Sequence, residues 1–212
     1  MSSINSCSFN MIRLDDVLIR LRRTLVIIGD GSCGKTSLLC HFILGYFPSR
    51  SVPAVFENFT TDCRVDGRPV QLTLCDTPGQ EDNEALRLLT YVQSHIVIIG
   101  FSLDSPVSLA NVRHKWVEEV KEQCLGAPII LVGLKKDLRE DINNGEEMCK
   151  KSQNFVTPIE GAAMAKLCGA SKYLECSSLT GEGVDGVFEA ATRAVLLAVD
   201  SDQGGGGCCT IQ

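Results

Sequence analysis

Residues 29 to 36 read Gly-Asp-Gly-Ser-Cys-Gly-Lys-Thr, directly after the apolar run Leu25 to Ile28 and at the opening of a helical-period segment, Lys35 to Leu44. Strand, glycine-rich turn and helix in that order leave few folds open. The glycines let backbone N–H groups turn inward with no Cβ in the way, and the helix N-terminus adds a favourable dipole, so the loop is suited to phosphate. In such a loop Lys35 neutralises β and γ phosphates. The Thr36 hydroxyl is an oxygen donor of the kind Mg²⁺ prefers. The loop itself leaves the nucleotide base undecided.

The rest of the chain repeats the same alternation. Short β-branched runs at Val70 to Cys75, Ile96 to Phe101, Ile129 to Val132 and Tyr173 to Cys176 lie between helical segments, which predicts an α/β fold on a parallel sheet. Asp66-Gly67 separates Phe59 to Val65 from Val70 to Cys75, and this pair favours a tight hairpin, so one antiparallel edge strand is expected. Helices are predicted around Glu81 to Val92 and at Pro106 to Gln123, Pro158 to Leu167 and Val184 to Val199, with Pro106 and Pro158 in first-turn positions. The polar stretch Asp141 to Phe155 falls outside the alternation and reads as an insertion with one short helix. Three parts result: an N-terminal extension at 1–23, one domain at 24–199 and a flexible tail at 200–212. In the extension, Leu14, Val17, Leu18 and Leu21 recur at helical spacing beside Arg20, Arg22 and Arg23, as in an amphipathic helix; a frayed tail, or a start at Met11, is the plainer reading.

Bulk properties limit the function. The 212 residues suit one domain with a sizeable core, and 44% hydrophobic with 22% charged residues is the balance of a folded chain. A net charge of -6 argues against nucleic acid as the main partner. No apolar run reaches the roughly 18 residues of a membrane span, and no signal peptide is evident, so a cytosolic protein is expected. The 11 cysteines are scattered without paired metal spacing and read mostly as small buried hydrophobes, without disulfides or zinc.

Three further segments complete a nucleotide site. Asp76-Thr-Pro-Gly79-Gln80 ends a strand whose carboxyl end belongs beside the phosphate loop. There Asp76 can hold a Mg²⁺-bound water, Gly79 can offer its N–H to a γ-phosphate and Gln80 can orient an attacking water. Leu134-Lys135-Lys136-Asp137 follows another strand. The Asp137 carboxylate can accept two hydrogen bonds from the N1 and N2 donors of guanine, a pair that adenine lacks, while the Lys135 stem packs on the ring. Read alone, it would pass for a solvated turn. Cys176-Ser177-Ser178-Leu179 could place a backbone N–H on the guanine oxygen, or be an ordinary turn, and Phe47 could pack edge-on against the base or be a loop aromatic.

With these residues assembled, the chain resembles the Rho family of Ras-like small GTPases from about Thr24 to Gln212. The resemblance is carried by Leu25-Val-Ile-Ile-Gly-Asp-Gly, Val55-Phe-Glu-Asn58, Gly79-Gln-Glu-Asp82, Phe101-Ser, Pro128-Ile-Ile-Leu-Val-Gly133 and Phe188-Glu-Ala-Ala-Thr-Arg193, and Lys172-Tyr-Leu-Glu-Cys-Ser177 is closest to fungal members. It implies the P-loop small G protein fold: six strands, mostly parallel with one antiparallel edge strand, flanked by about five helices plus an insert helix at Asp141 to Phe155. It implies GTP hydrolysis with Gln80 and Lys35 catalytic and Mg²⁺ held by Thr36 and Asp76. Nucleotide contacts would come from Gly29, Asp30, Gly31, Ser32, Cys33, Gly34, Lys35, Thr36 and Ser37, then from Phe47, Asp76, Gly79, Lys135, Asp137, Leu138, Ser177, Ser178 and Leu179. Switch loops would span roughly Pro48 to Phe59 and Gly79 to Tyr91, with Val55, Phe56, Glu57 and Asn58 reading effectors. Implied partners are an exchange factor, a GTPase-activating protein, a dissociation inhibitor and effectors such as protein kinases, and implied roles are actin organisation, polarity and, in fungi, cell-wall synthesis.

Departures from the family fall mostly in the switches and just beside them. Ala54 stands where the family has a Mg²⁺-ligating threonine, and Ser51 replaces an aromatic that closes over the phosphates. Pro78 replaces alanine and removes a backbone donor. Cys75 replaces tryptophan, and Asn83 and Ala85 replace a tyrosine and an arginine; Leu134 stands where GTPases in general have asparagine, a position that varies within the Rho family. The first switch should be looser with GTP bound.

Cys209-Thr-Ile-Gln212 fits a prenylation signal, with the terminal glutamine favouring farnesyl. One lipid holds a protein weakly, and no lysine or arginine follows Arg193, so Cys208 as a palmitoylation site is the natural second anchor. The expected location is the cytoplasmic face of the plasma membrane, with a cytosolic pool. Two readings remain: a GTP-hydrolysing anchored switch, and a nucleotide-binding decoy with little hydrolysis, which Ala54 and Ser51 would favour. A P-loop kinase or ATPase would leave Asp137 and the lipidation signal unexplained.

Overall fold

The computed structural model describes residues 21–48, 58–77, 84–143 and 155–204. In chain order these form β1 (Leu21–Gly29), α1 (Lys35–Leu44), β2 (Asn58–Val65), β3 (Arg68–Asp76), α2 (Glu84–Tyr91), β4 (Ile96–Ser102) and α3 (Pro106–Asn111). A π-helical turn (Val112–Trp116) joins α3 to α4 (Val117–Gln123), and β5 (Ile129–Leu134), α5 (Lys136–Asn143), α6 (Pro158–Cys168), β6 (Lys172–Glu175) and α7 (Val184–Gly204) follow.

The six strands lie in the order β2-β3-β1-β4-β5-β6. Every neighbouring pair is parallel except β2 with β3. The hairpin turns where the sequence places it, with Asp66 at φ 50 and Gly67 at φ 78, the left-handed pair of a type I′ turn. Chain leaving β1 goes to one side for β3 and returns on the other for β4. The carboxyl ends beside β1 therefore flank a topological switch point, where ligands of such sheets collect.

Alternate residues of the strands feed two cores. Leu25 and Ile27 of β1 join Leu38 and Leu39 of α1 and Val187, Phe188 and Val195 of α7 on one face. Val26 and Ile28 join Trp116, Val117 and Val120, with Ala165 and Cys168 of α6, on the other. Because both faces are covered, β4 and β5 read as unbroken apolar runs. The edge strand β2 is covered on one side only, and its residues alternate between exposed and half-buried up to the buried Val65. The phosphate loop is thus carried on a strand whose side chains are packed from both sides.

Helix ends obey local chemistry. Pro106 and Pro158 open their helices behind Ser105 and Thr157, and Thr157 with Glu160 makes a reciprocal capping box. Helix α1 stops at Gly45, left-handed at φ 77, whose N–H returns to the His41 carbonyl.

Several boundaries differ from expectation. Strand β1 begins at Leu21, because the ladder to β3 continues through Leu21↔Val70, Arg22↔Gln71 and Arg23↔Leu72. Those three residues are strand and not the end of an amphipathic helix, and Leu21 packs on Val65, Val70 and Leu196. Asp141 to Asn143 belong to α5, which starts at Lys136. Helix α7 runs on to Gly204, past the expected end at Val199, with Asp200 held by Arg68 at 2.8 Å. Residues 1–20 and 144–154, the rest of the expected extension and insertion, lie outside the described residues, as do the tail cysteines Cys208 and Cys209. Cys33, Cys75, Cys124, Cys168 and Cys176 are buried, as small apolar residues would be. Among the described residues no helix is long and apolar enough to cross a membrane.

Candidate nucleotide site

The loop from Gly29 to Thr36 turns where β1 ends and α1 begins. Gly29 has φ +143 and lies against β4, where a Cβ would stand 2.1 Å from the Gly100 carbonyl oxygen, so any other residue would push the two strands apart. Lys35 is buried inside the turn, its Nζ donating to the Gly29 carbonyl at 2.9 Å and the Asp30 carbonyl at 2.7 Å. The Cys33 thiol faces the Gly100 carbonyl at 3.6 Å, and burial pushes its pKa up, against the pull of Lys35.

Asp76, at the end of β3, arrives beside this loop as the sequence requires. The Thr36 Oγ1 donates to Asp76 Oδ2 at 2.6 Å, and the Thr77 hydroxyl fastens the same strand end to the Ile27 carbonyl at 2.6 Å. Asp76 is 4% exposed, and its Oδ1 is buried with no hydrogen-bond partner. Burial raises its pKa, while the bonds from Thr36, the charge of Lys35 and the Thr77 backbone N–H work to lower it. A hydroxyl and a carboxylate in contact, with one buried oxygen unsatisfied, fit a hard divalent cation such as Mg²⁺.

The two segments expected to select the base converge on the same place. A Cβ at Gly34 would meet Leu134 Cδ1 at 3.7 Å and Lys135 Cγ at 3.9 Å, so the Leu134 to Asp137 turn packs directly on the phosphate loop. Lys135 holds φ 63, a left-handed conformation that turns the chain from β5 into α5, and its Nζ lies 3.8 Å from Asp104 Oδ1. Asp137 is buried, and the Ser177 hydroxyl donates to its Oδ1 at 2.5 Å. The same hydroxyl accepts the Thr180 N–H at 3.1 Å, and Lys136 N–H reaches the Cys176 carbonyl at 3.1 Å, so two turns from distant parts of the chain form one wall. Ser178 is buried beside them, Leu179 and Leu138 are exposed, and Phe47 stands exposed beyond α1. Among the residues carried from the sequence, Asn58 opens β2, whereas Val55, Phe56 and Glu57, Gly79 and Gln80, and Ser51, Ala54 and Pro78 fall outside the described residues.

Three features were not foreseen. The Asp30 carboxylate points away from the loop interior: its Oδ2 accepts from Asn111 Nδ2 at 3.0 Å and its Oδ1 from Trp116 Nε1 at 2.8 Å. The Arg87 guanidinium of α2 is buried 5.1 Å from the centre of the Trp116 ring and pairs with Glu119 at 2.5 and 2.9 Å. His41 of α1 abuts Gly181, where a Cβ would lie 2.7 Å from its Nε2, which ties the Ser177 turn to the helix behind the phosphate loop.

The chain matches the Ras family over residues 24–197. It is 56% identical over 193 residues to GTP-binding protein rho2 of Schizosaccharomyces pombe, covering 90% of this chain and 96% of that one. It is 54% identical over 192 residues to GTP-binding protein RHO2 of Saccharomyces cerevisiae, covering 90% and 97%, and 55% identical over 176 residues to GTP-binding protein RHO1 of Candida albicans, covering 83% and 89%.

Proposed function

The chain belongs to the Ras family and, within it, to the Rho-type small GTPases, and from that premise we propose that it is a Mg²⁺-dependent, lipid-anchored switch in which Gln80 positions the hydrolytic water. As a member it binds GTP and GDP, and GTP hydrolysis is its expected activity. The observation that supports a metal-assisted site best is the Thr36 and Asp76 contact at 2.6 Å with the buried, unpartnered Asp76 Oδ1.

In this reading Thr36 and Asp76 would hold Mg²⁺, which would supply positive charge to offset that of the phosphates. The N–H groups of the Gly29 to Thr36 loop and the Lys35 ammonium orient the phosphates and stabilise the charge that develops on them. Asp137, steadied by Ser177, accepts from the guanine N1 and N2 donors, and Lys135 covers the ring. Gly79 donates to the γ-phosphate. Rho-family membership implies regulators and effectors; we assign an exchange factor, an activating protein that supplies an arginine, a dissociation inhibitor, and effectors such as protein kinases that read Val55 to Asn58. Cys209, prenylated, and Cys208, palmitoylated, would hold the protein at the cytoplasmic face of the plasma membrane, and signalling to cytoskeleton, polarity or cell wall would follow.

Ala54 and Ser51 favour a second reading, a nucleotide-loaded decoy for regulators, because a methyl cannot ligate a metal. Single-turnover hydrolysis of bound GTP, with and without a Rho activating protein and beside an Ala54→Thr version, separates the two. Stimulated turnover in the unmodified chain is the expected result. Turnover found only after Ala54→Thr would leave the decoy.

A further inference from the structure

A carboxylate inside a phosphate-binding loop is an electrostatic liability, and Asp30 stands between two of the glycines that shape the cradle. At low dielectric a like charge a few ångströms from a phosphate is strongly repulsive. The loop resolves this by direction: the Asp30 carbonyl faces inward and accepts from Lys35 Nζ at 2.7 Å, while the carboxylate faces outward to Asn111 and Trp116. Both donors are neutral, so they fix where the charge lies without cancelling it.

The helix that supplies them is built for the task. In an α-helix at 3.6 residues per turn, positions five apart are rotated by about 140° and cannot grip one carboxylate together. Between α3 and α4 the helix widens by a π turn, with the Val117 N–H bonded to the Val112 carbonyl five residues back, which brings residues five apart onto one side. Asn111 and Trp116 are five apart. Trp116 is itself held, 1% exposed, with the Arg87 guanidinium 5.1 Å from its ring centre.

We propose that Asn111 and Trp116 are positioning residues for nucleotide binding, holding the Asp30 carboxylate away from the phosphates. The inference rests on the guanine-nucleotide reading above. When either donor is lost, the carboxylate gains freedom to turn toward the cradle and the nucleotide is released faster.

The test is the dissociation rate of a fluorescent GDP from the full chain carrying Asn111→Ala, Trp116→Phe or Asp30→Ala, and from the doubles that combine either donor change with Asp30→Ala. Each donor change should speed release about tenfold, the scale of one hydrogen bond to a charged group. In the Asp30→Ala background the same changes should alter the rate by less than about twofold, because the charge they restrain is gone. An acceleration that persists in that background would show a packing role and overturn the proposal, as would no acceleration in the single variants. Asn111 is only partly buried, so Asn111→Ala keeps the test available if Trp116→Phe fails to fold. Failure of the unmodified chain to bind GDP would instead overturn the nucleotide reading.

Discussion

A carboxylate can select a base only if it is held still, and the Ser177 hydroxyl bonds Asp137, the proposed selector, at 2.5 Å. Ser177→Ala should therefore weaken GDP by about tenfold, the value of a hydrogen bond to a charged group, while leaving weak ADP binding where it was. Competition against a fluorescent GDP checks this, and an equal change for both nucleotides would count against a role in base selection. At this scale the sequence was legible where a motif dictates a backbone path, as from Gly29 to Thr36 and at Asp76. It was silent on side-chain direction. In the sequence Asp30 looks like one more loop residue, because the donors that turn its carboxylate outward are 81 and 86 residues away in the chain, and no local pattern links them.

Among elements, the joint between α5 and β6 shows how tertiary contacts fix what propensity leaves open. Arg139 Nη1 donates to the Val156 carbonyl at 2.9 Å and to Glu175 Oε1 at 3.0 Å, and Tyr173 adds its hydroxyl to the same oxygen at 2.7 Å. The contact clamps both ends of the insertion. Burial alone would raise the Glu175 carboxyl, but the bonds from Arg139 and Tyr173 prevail and hold it below the ordinary 4.5. Its stabilising contribution is therefore complete above that pH and is lost as the carboxylate protonates below it. Glu175→Gln should cost about 2 kcal/mol at neutral pH in urea unfolding, and the gap to the unmodified chain should narrow below pH 4.5. A gap that stays constant with pH would mean that the charge is not what matters. Elements with clear end signals, such as α1 stopping at Gly45 and α6 opening behind Thr157-Pro158 and stopping at Gly169, were legible nearly to the residue. The π turn was not, since Pro106 to Gln123 carries an ordinary helical pattern and nothing in it marks the Val117 N–H bonding to the Val112 carbonyl.

Over the whole molecule, the sheet followed from alternation and from apolar runs long enough for burial on both faces. The ends did not. Leu21 to Arg23 look like the close of a basic amphipathic stretch, yet β3 offers them a ladder and Leu196 of α7 offers Leu21 a packing partner. What the fold achieves is convergence: residues 29 to 36, 76 to 77, 134 to 137 and 177 to 181 are far apart in sequence, and the switch point beside β1 gathers them into one site. The most direct test that they act as one guanine-nucleotide site is equilibrium competition of GDP and ADP for the purified chain, in Mg²⁺ and in chelator. GDP should win by about 10³-fold or more, as hydrogen-bonding sites discriminate, and chelation should weaken it. Equal binding of GDP and ADP, or affinity indifferent to Mg²⁺, would contradict the site described.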